Sequence, residues 1–387
     1  MTDRKLMKGN EALALAAIRA GCRYYFGYPI TPQNEITEYM SRELPKVGGS
    51  FIQAESELAS INMCYGAAAA GGRVLTSSSS PGVALMQEGL SGLANIQAPM
   101  VIINVMRAGP GIGAIQPAQA DYFQATRGGG NGDYHIIVYA PESIQEAMDM
   151  MTKGFDVADE YRNPVMILAD GMLGQMMEPV TIPAAQQPIM GDDIAKAKPW
   201  ALTGHKNKRE RNAINSVWLD QFAFAEYSDK LWEKYIKAEK ELPEYETVNL
   251  ENADIVFAAY GTTARIVRES MDQLAKKGIK AGLIRPKTVW PFPYHAFDEI
   301  AKKAPDAKLV ISAELSRGQL IQDVKLAILG KLPVELIGRA SGILLTPDEI
   351  TEEAIALYEA INGPAPSCCD CGYNCGAGLN NEKEVEV

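Results

Sequence analysis

The sequence predicts an α/β protein with two doubly wound domains, each built on a parallel sheet. Short apolar runs such as 99–106 and 164–169 alternate with helical patterns such as 144–160 along the first part of the chain. The same alternation returns after residue 251. A chain of 387 residues with 47% hydrophobic content is long and apolar enough for two or three cores.

The pattern divides the chain into four parts. Residues 1–180 form a complete α/β unit, and residues 251–362 form a second, smaller one. Between them, residues 181–250 are rich in prolines and charged residues, a composition typical of a connecting segment. Residues 363–387 form a cysteine-rich tail.

The charge balance argues against nucleic acid as a partner. There are 37 basic and 48 acidic residues, for a net charge of −11, and no basic run is long enough to follow a phosphate backbone. The first ten residues lack an apolar signal core, and no uncharged stretch reaches the length of a membrane span. We therefore expect a cytoplasmic protein without a membrane partner.

The first strand-to-helix loop is a candidate site. A strand over 24–26 leads into Gly27-Tyr28-Pro29-Ile30-Thr31-Pro32, where two prolines fix the backbone. Thr31 lies between them, so its hydroxyl is presented from a stiff frame. The alternative is an ordinary turn between a strand and a helix.

The corner at Glu57 is the second candidate. An apolar run ends at Glu55, Ser56 can cap the next helix, and Glu57 lies in the first turn of that helix. Small residues dominate the helix, including Ala59, Ser60 and 66–70, which allows another group to approach closely. The alternative is tight packing between helices.

Three further loops carry polar or basic residues after predicted strands. The serine-rich loop 77–82 contains Ser79, and Arg107 follows the apolar strand 99–106 beside a glycine-rich turn. Arg127 precedes a second glycine-rich stretch. Such loops gather at the carboxyl ends of parallel strands, where ligands bind, and an arginine there suits a carboxylate or phosphate. Arg107 could equally close the sheet through an ion pair.

Several motifs in a fixed order give the sequence a family resemblance. They are Met7-Lys-Gly-Asn-Glu-Ala, Gly27-Tyr-Pro-Ile-Thr-Pro32, Ala54-Glu-Ser-Glu-Leu58, the loop from Thr76 to Gly82, Arg107-Ala-Gly-Pro, and Arg285-Pro-Lys-Thr-Val-Trp-Pro-Phe-Pro293. Together they resemble the alpha subunit of 2-oxoacid:ferredoxin oxidoreductases over about residues 5 to 360. Within that family the sequence is most similar to the branched-chain type, followed by the 2-oxoglutarate type.

The resemblance implies a thiamine diphosphate enzyme. Its first domain would be the pyrimidine-binding domain and its second a transketolase-C-terminal-like domain. Glu57 matches the catalytic carboxylate that bonds to the pyrimidine ring, and Thr31 and Arg107 match groups that bind the substrate. Arg127 would be a second cation for 2-oxoglutarate or for coenzyme A phosphates. The residues expected to bind the cofactor are Tyr28, Pro29, Ile30, Glu57 and Ser79.

The implied reaction is oxidative decarboxylation of a 2-oxoacid with coenzyme A, giving acyl-CoA and carbon dioxide and passing electrons to ferredoxin. A branched-chain substrate, 3-methyl-2-oxobutanoate, is favoured, and 2-oxoglutarate is the alternative. Two other hypotheses stay open. One is a self-contained thiamine enzyme such as a transketolase, and the other is a noncatalytic nucleotide-binding or electron-transfer scaffold.

Parts of that chemistry are missing from the sequence. No Gly-Asp-Gly with a downstream asparagine is present for Mg²⁺ and diphosphate, because residues 169–171 read Ala-Asp-Gly, and no cysteines have ferredoxin spacing. The resemblance assigns these parts to a beta subunit with the Mg²⁺ site and a 4Fe–4S cluster, a gamma subunit, and a ferredoxin-like subunit or ferredoxin. We therefore expect an obligate hetero-oligomer that is inactive without its partners.

The tail contains four closely spaced cysteines, Cys368, Cys369, Cys371 and Cys375. Four thiolates are sufficient ligands for zinc or an iron–sulfur cluster, although this spacing fits no strong template. The alternative is an exposed tail of reduced thiols.

Overall fold

Two sheets with helices on both faces form the chain. The computed structural model describes residues 4–205, 207 and 209–362. The strands are β1 (Arg4–Lys8), β2 (Tyr24–Gly27), β3 (Ser50–Gln53), β4 (Val74–Ser78), β5 (Met100–Met106), β6 (Ile137–Tyr139), β7 (Pro164–Asp170), β8 (Met177–Thr181), β9 (Tyr245–Val248), β10 (Ile255–Ala258), β11 (Ala281–Pro286), β12 (Thr288–Trp290), β13 (Leu309–Glu314) and β14 (Val334–Gly338). The helices are α1 (Gly9–Arg19), α2 (Asn34–Glu43), α3 (Glu57–Ala69), α4 (Ser80–Asn95), α5 (Tyr122–Arg127), α6 (Ile144–Tyr161), α7 (Gly171–Gln175), α8 (Asp192–Ala197), α9 (Gln221–Glu241), α10 (Gly261–Lys276), α11 (Asp298–Lys303), α12 (Leu320–Ile328) and α13 (Pro347–Asn362).

The first sheet has seven strands in the order β12-β6-β7-β5-β4-β2-β3. All neighbours are parallel except β12, which runs antiparallel to β6. Every residue of the central strands β5 and β7 is buried, which explains their mostly apolar sequences. The predicted α/β class and the doubly wound architecture are confirmed.

The second sheet has five strands in the order β14-β13-β10-β11-β9. Four of them are parallel, and β9 pairs antiparallel with β11 at the edge. A separate two-stranded ribbon joins β1 to β8. The antiparallel strands β9 and β12 are short edge strands of these mainly parallel sheets.

The region 181–250 is not an extended linker. Its long helix α9 buries Leu231, Tyr235 and Ala238 in the core of the first domain. Its strand β9 belongs to the second sheet. The region therefore holds the two halves together through packed secondary structure.

A buried glutamine joins the two domains. Gln119, on the loop after β5, is fully buried, and its Nε2 donates to the carbonyl oxygen of Tyr260 at 2.9 Å. Its Oε1 accepts from Thr263 Oγ1 at 2.6 Å and from the Leu315 amide at 3.1 Å. All of these partners are in the second domain, so the domains meet through satisfied polar contacts.

Among the described residues, every helix is too short or too polar to cross a lipid bilayer.

Candidate functional site

The candidate site lies at the carboxyl ends of β2, β3, β4 and β5. The structure brings together four of the loops that the sequence singled out, because these strands are neighbours in one parallel sheet. Glu57 follows β3, Ser79 follows β4, and Arg107 follows β5. Thr31 lies on the loop after β2.

Glu57 begins helix α3 as the sequence predicts. Ser56 caps the helix, its Oγ accepting from the Ala59 amide at 3.2 Å. The Glu57 side chain is 7% exposed and lies against Gly82, where an added Cβ would come within 2.5 Å of Glu57 Oε1. No described residue forms a hydrogen bond with this carboxylate. It is therefore a buried acid without a partner in this part of the chain, next to a glycine whose replacement would require Glu57 or Ser78 to move.

Two serine hydroxyls next to this acid are also unpaired. Ser78 and Ser79 are buried, and within the described ranges neither Oγ has a hydrogen-bond partner. Ser79 directly precedes helix α4 but does not cap it through its side chain. Buried polar groups are normally paired, so this group of unpaired oxygens indicates a place for a ligand. Sequence reasoning singled out Glu57 and Ser79, and it named Ser78 and Gly82 only as members of the loop around Ser79.

Arg107 connects two of the loops. Its Nη1 donates to the Thr31 carbonyl oxygen at 2.9 Å, and its Nη2 donates to the Ile112 carbonyl oxygen at 2.8 Å. The residue is 7% exposed, its Nε has no partner, and no described carboxylate pairs with it. Because a guanidinium has more N–H groups than these two contacts use, Arg107 keeps donors for an anion. Within the described residues, Arg107 does not form the ion pair considered as an alternative.

Asp121 supports the position of Arg107 and was not foreseen. Ser80 Oγ donates to Asp121 Oδ2 at 2.5 Å and accepts from the Arg107 amide at 3.0 Å. Asn104 Nδ2 also donates to Asp121 Oδ2, at 3.0 Å. Burial raises the pKa of Asp121 above its ordinary value. No local sequence signal points to Asp121, because the fold alone brings it beneath the loop.

The loop from Tyr28 to Thr31 is held by a buried amide. Gln33 is fully buried, and its Nε2 donates to the Tyr28 carbonyl oxygen at 3.2 Å. Its Oε1 accepts from Ser77 Oγ at 2.6 Å. Tyr28 and Ile30 are half-buried, whereas Pro29 and Thr31 are exposed. The stiffness predicted from the prolines therefore has a second cause in this network.

A cavity of about 600 Å³ opens beside Thr31. Most of its wall is apolar, and no described lysine or arginine lines it. Its one carboxylate, Glu35, accepts from Lys8 at 2.8 Å and from Asn10 at 2.7 Å. Burial raises the pKa of Glu35, but the bonds from Lys8 and Asn10 outweigh that effect and lower it. The lining residues are Thr31, Pro32, Asn34, Glu35, Ile115, Gln116, Pro117, Gly171, Met172, Gln175 and Leu344.

Arg127 lies in a different environment from Thr31 and Arg107. Its Nη2 contacts both carboxylate oxygens of Asp323 at 2.9 Å. Asp323 is fully buried and also accepts from Tyr122 OH at 2.5 Å and from Tyr294 OH at 2.8 Å. Arg127 is absent from the described lining of the cavity. The structure therefore gives Arg127 a partner within the chain.

The acid of the Ala-Asp-Gly sequence has a structural role in the described chain. Asp170, in the Ala-Asp-Gly sequence, caps α7 through Oδ1 at 2.9 Å from the Met172 amide, and burial raises its pKa. No group of three or more His, Cys, Asp or Glu side chains in the described part of the chain could hold a metal ion. The four tail cysteines, Cys368, Cys369, Cys371 and Cys375, lie outside the described residues.

Comparison with known families identifies the family of the chain. Residues 15–247 match the family model "Pyruvate flavodoxin/ferredoxin oxidoreductase", thiamine diphosphate-binding, and residues 253–350 match "Pyruvate:ferredoxin oxidoreductase core domain II". The chain belongs to the 2-oxoacid:ferredoxin oxidoreductase family. Its first domain is accordingly the thiamine diphosphate-binding domain of such an oxidoreductase.

Relatives of this oxidoreductase subunit agree. The chain is 46% identical to ketoisovalerate oxidoreductase subunit VorB of Methanothermobacter marburgensis, over 88% of this chain and 94% of that one. It is 37% identical to 2-oxoglutarate synthase subunit KorA of Archaeoglobus fulgidus, over 84% of this chain and 91% of that one.

Solved structures confirm the architecture of the oxidoreductase subunit. The 2-oxoglutarate:ferredoxin oxidoreductase of Magnetococcus marinus superposes with a TM-score of 0.78 at 27% identity, covering 92% of this chain and 66% of that chain. A split-gene transketolase superposes with a TM-score of 0.54 at 13% identity, covering 92% of this chain and 99% of that one, which shows a shared fold alone.

The residues of the oxidoreductase subunit fit thiamine diphosphate at this site. The unpaired Glu57 carboxylate and the unpaired Ser78 and Ser79 hydroxyls supply acceptors and donors for a polar ring. Gly82 keeps the space beside Glu57 free of a side chain.

Proposed function

We propose that this chain is the alpha subunit of an oxidoreductase that converts 3-methyl-2-oxobutanoate and coenzyme A to the branched acyl-CoA and carbon dioxide, with ferredoxin as electron acceptor. One observation carries the proposal. The Glu57 carboxylate is buried and without a partner in the described chain, and it lies beside unpaired serine hydroxyls at the ligand-binding edge of a parallel sheet.

Each residue has a defined task in this proposal. Bound thiamine diphosphate supplies the electron sink that lets a 2-oxoacid lose carbon dioxide. When thiamine diphosphate is bound, Glu57 would hold a proton toward its pyrimidine ring, and the burial of Glu57 would strengthen that bond. Arg107 pairs with the substrate carboxylate, and Thr31 donates its hydroxyl to a substrate oxygen. Tyr28, Pro29, Ile30 and Ser79 would contact the bound cofactor.

The substrate assignment follows from the cavity beside Thr31. An isopropyl side chain needs only apolar surface, which Ile115, Met172 and Leu344 provide. The distal carboxylate of 2-oxoglutarate would need a cation, and none of the described residues lining the cavity is basic. Relatives named for ketoisovalerate, at 46% and 44% identity, support the same choice.

2-Oxoglutarate is the second candidate substrate. The KorA relatives and the Magnetococcus marinus structure support it. In this reading Arg127 would provide the second cation, and it would have to leave Asp323 to do so. The intact bidentate contact between Arg127 and Asp323 makes this the weaker proposal.

A shared active site explains what this chain lacks. A beta subunit would provide the Mg²⁺ and diphosphate site and the 4Fe–4S cluster, with a gamma subunit and a ferredoxin-like subunit or ferredoxin completing the complex. The elements that carry Glu57 and Gly82 also expose Leu58 and Leu85, at 47% and 58%. Exposed apolar side chains next to a polar site suit a covering subunit.

Purification of the complex through this chain, followed by assay of acyl-CoA formation, tests the proposal. We expect kcat/KM for 3-methyl-2-oxobutanoate to exceed that for 2-oxoglutarate at least tenfold, and we expect the isolated chain to be inactive. A reversed preference would establish the 2-oxoglutarate alternative. Turnover by the isolated chain would support a self-contained thiamine enzyme instead.

A further inference from the structure

A second exposed apolar surface lies before and at the start of α9. We call it the Trp218 surface and define it as Val217, Trp218, Leu219, Phe222 and Phe224. Leu219 is 97% exposed, and Phe222 is 78% exposed. Scattered exposed apolar residues are normal, but this number within eight residues marks a contact surface.

The Trp218 surface is an ordered part of the fold. The Trp218 ring packs on Tyr227 with centroids 4.7 Å apart and on Phe224 at 5.7 Å. Asp220 caps α9, its Oδ1 accepting from the Phe222 amide at 2.9 Å. Tyr227 OH donates to the Asn95 carbonyl oxygen. Phe222 and Phe224 are therefore presented from the capped start of α9, and ring contacts hold Trp218 in the segment before it.

A groove of about 420 Å³ borders the Trp218 surface and contains unpaired cations. Arg162 and Arg211 both line it, together with Trp218 and Tyr227. The Arg162 guanidinium lies over the Trp200 ring at 4.3 Å, and its Nε donates to the Gln97 carbonyl oxygen at 3.1 Å. No described carboxylate pairs with either arginine.

Lys234 is a third basic residue, next to Arg162. Its Nζ donates to the Arg162 carbonyl oxygen at 3.2 Å, and it too has no carboxylate partner among the described residues. Burial, followed by the nearby Arg162, lowers the pKa of Lys234 to about 7. Burial also lowers the pKa of Arg162. In a chain of net charge −11, positive charges left uncompensated in one place indicate an acidic partner.

We propose that the Trp218 surface binds a partner subunit of the oxidoreductase. The matching face of that subunit has an apolar centre bordered by carboxylates. The inference rests on the proposed hetero-oligomer. A second copy of this chain fits less well, because a two-fold contact through this surface would place Arg211 and its symmetry mate at the same interface. A different subunit with acidic side chains supplies the missing charge.

This contact is separate from the one that completes the active site. Gln97 and Arg162 immediately precede β5 and β7, so the groove lies at the amino ends of the strands. Glu57 and Arg107 lie at the carboxyl ends of the same sheet. The chain therefore contacts its partners at both ends of the strands of the first sheet, with the active site at the carboxyl ends and the Trp218 surface at the amino ends.

Co-expression of the tagged chain with the beta, gamma and ferredoxin-like subunits tests the proposal. We expect Leu219→Glu with Phe222→Glu to reduce the amount of at least one co-purified subunit tenfold or more. Leu326→Glu, a change at a 56% exposed leucine on α12, should leave the yield unchanged. Arg211→Glu should weaken retention most at low salt. Because the changed leucine and phenylalanine are exposed, the melting temperature of the isolated chain should stay the same.

Three results would overturn the inference. The first is a complex that retains every subunit after the double change. The second is an isolated wild-type chain that is a dimer and becomes a monomer with Leu219→Glu, since the occupant would then be a second copy. The third is a fall in the melting temperature that accounts for the lost subunits. A complex that assembles through this surface but oxidises no 2-oxoacid would instead refute the proposed function and leave the docking intact.

Discussion

Two regions of the molecule each combine an arginine with a buried acid, and they differ in how completely the chain satisfies them. Around Asp323, Arg127 and the hydroxyls of Tyr122 and Tyr294 surround the carboxylate. Around Glu57 the carboxylate has no partner in the described chain, and Arg107 contacts only carbonyl oxygens. Residues of the chain itself bond to the Asp323 carboxylate, whereas no described residue bonds to the Glu57 carboxylate.

The difference separates structural charges from functional ones. Removing one partner of a satisfied buried cluster leaves an unpaired group and reduces stability. Removing a side chain that has no partner in the chain changes the free energy of unfolding little. It affects only the ligand that this side chain binds. Substitutions in the two regions should therefore have opposite effects on stability and activity.

The largest effect is expected from Glu57→Gln in the assembled complex. Loss of the ionisable group should reduce kcat about 10²- to 10⁴-fold, the usual contribution of a positioned acid or base. The melting temperature should change little. Glu55→Gln is the matched control, because Glu55 is exposed two residues earlier. A fully active Glu57→Gln complex would favour the noncatalytic scaffold.

The next effect is on stability, from Asp323→Ala. This change leaves Tyr122 OH buried without an acceptor and should reduce the free energy of unfolding by about 3 kcal/mol, measured by denaturant titration. The control is Asp306→Ala, at an exposed position. Unchanged stability together with a large rise in the KM for 2-oxoglutarate would show that the cluster serves the substrate instead.

Arg107→Lys should have an intermediate effect on substrate binding. A lysine cannot reproduce the planar donor set that spans the Thr31 and Ile112 carbonyls and an anion. We expect the KM for 2-oxoacid to rise about 10- to 100-fold, an effect of 1–3 kcal/mol that is typical of a charged hydrogen bond. Arg317→Lys, at an exposed position, should behave like the wild type. An unaltered KM would contradict the role given to Arg107.

The smallest effect is expected from Ser79→Ala. Its hydroxyl has no partner in the described chain, so stability should change by less than about 0.5 kcal/mol, while the affinity for thiamine diphosphate falls several-fold. Ser77→Ala provides the contrast, because Ser77 bonds to Gln33 and Tyr25 and its loss should destabilise the chain by about 1 kcal/mol. Equal stability losses for both variants would show that Ser79 has an ordinary structural role.

Much of the fold could be predicted from the sequence because its signals are local. Strand β5 and helix α6 begin and end within about one residue of the predicted bounds, since apolar runs and capping residues act over a few positions. The same is true of the Ser56 cap that places Glu57. Motif residues of the site were found because each follows a predicted strand.

The rest depends on contacts between distant residues. Asp121, Gln33 and Gly82 have no local pattern that distinguishes them from other residues of their type, and only the folded sheet brings them to the site. The partner of Arg127 is Asp323, which lies 196 residues away in the sequence. From the sequence alone, Arg127 is therefore predicted as a cation that could bind a ligand. Pairing information of this kind is absent from a single sequence.

The strand β12 has a consequence for how the protein is made. Thr288 and Trp290 pair with Tyr139 and Val138. One edge strand of the amino-terminal sheet therefore follows β9, β10 and β11 of the second sheet in the chain. A ribosome must synthesise about three quarters of the polypeptide before the amino-terminal sheet is complete. A fragment ending near residue 250 would leave β6 with an open edge, and we expect it to aggregate when expressed alone.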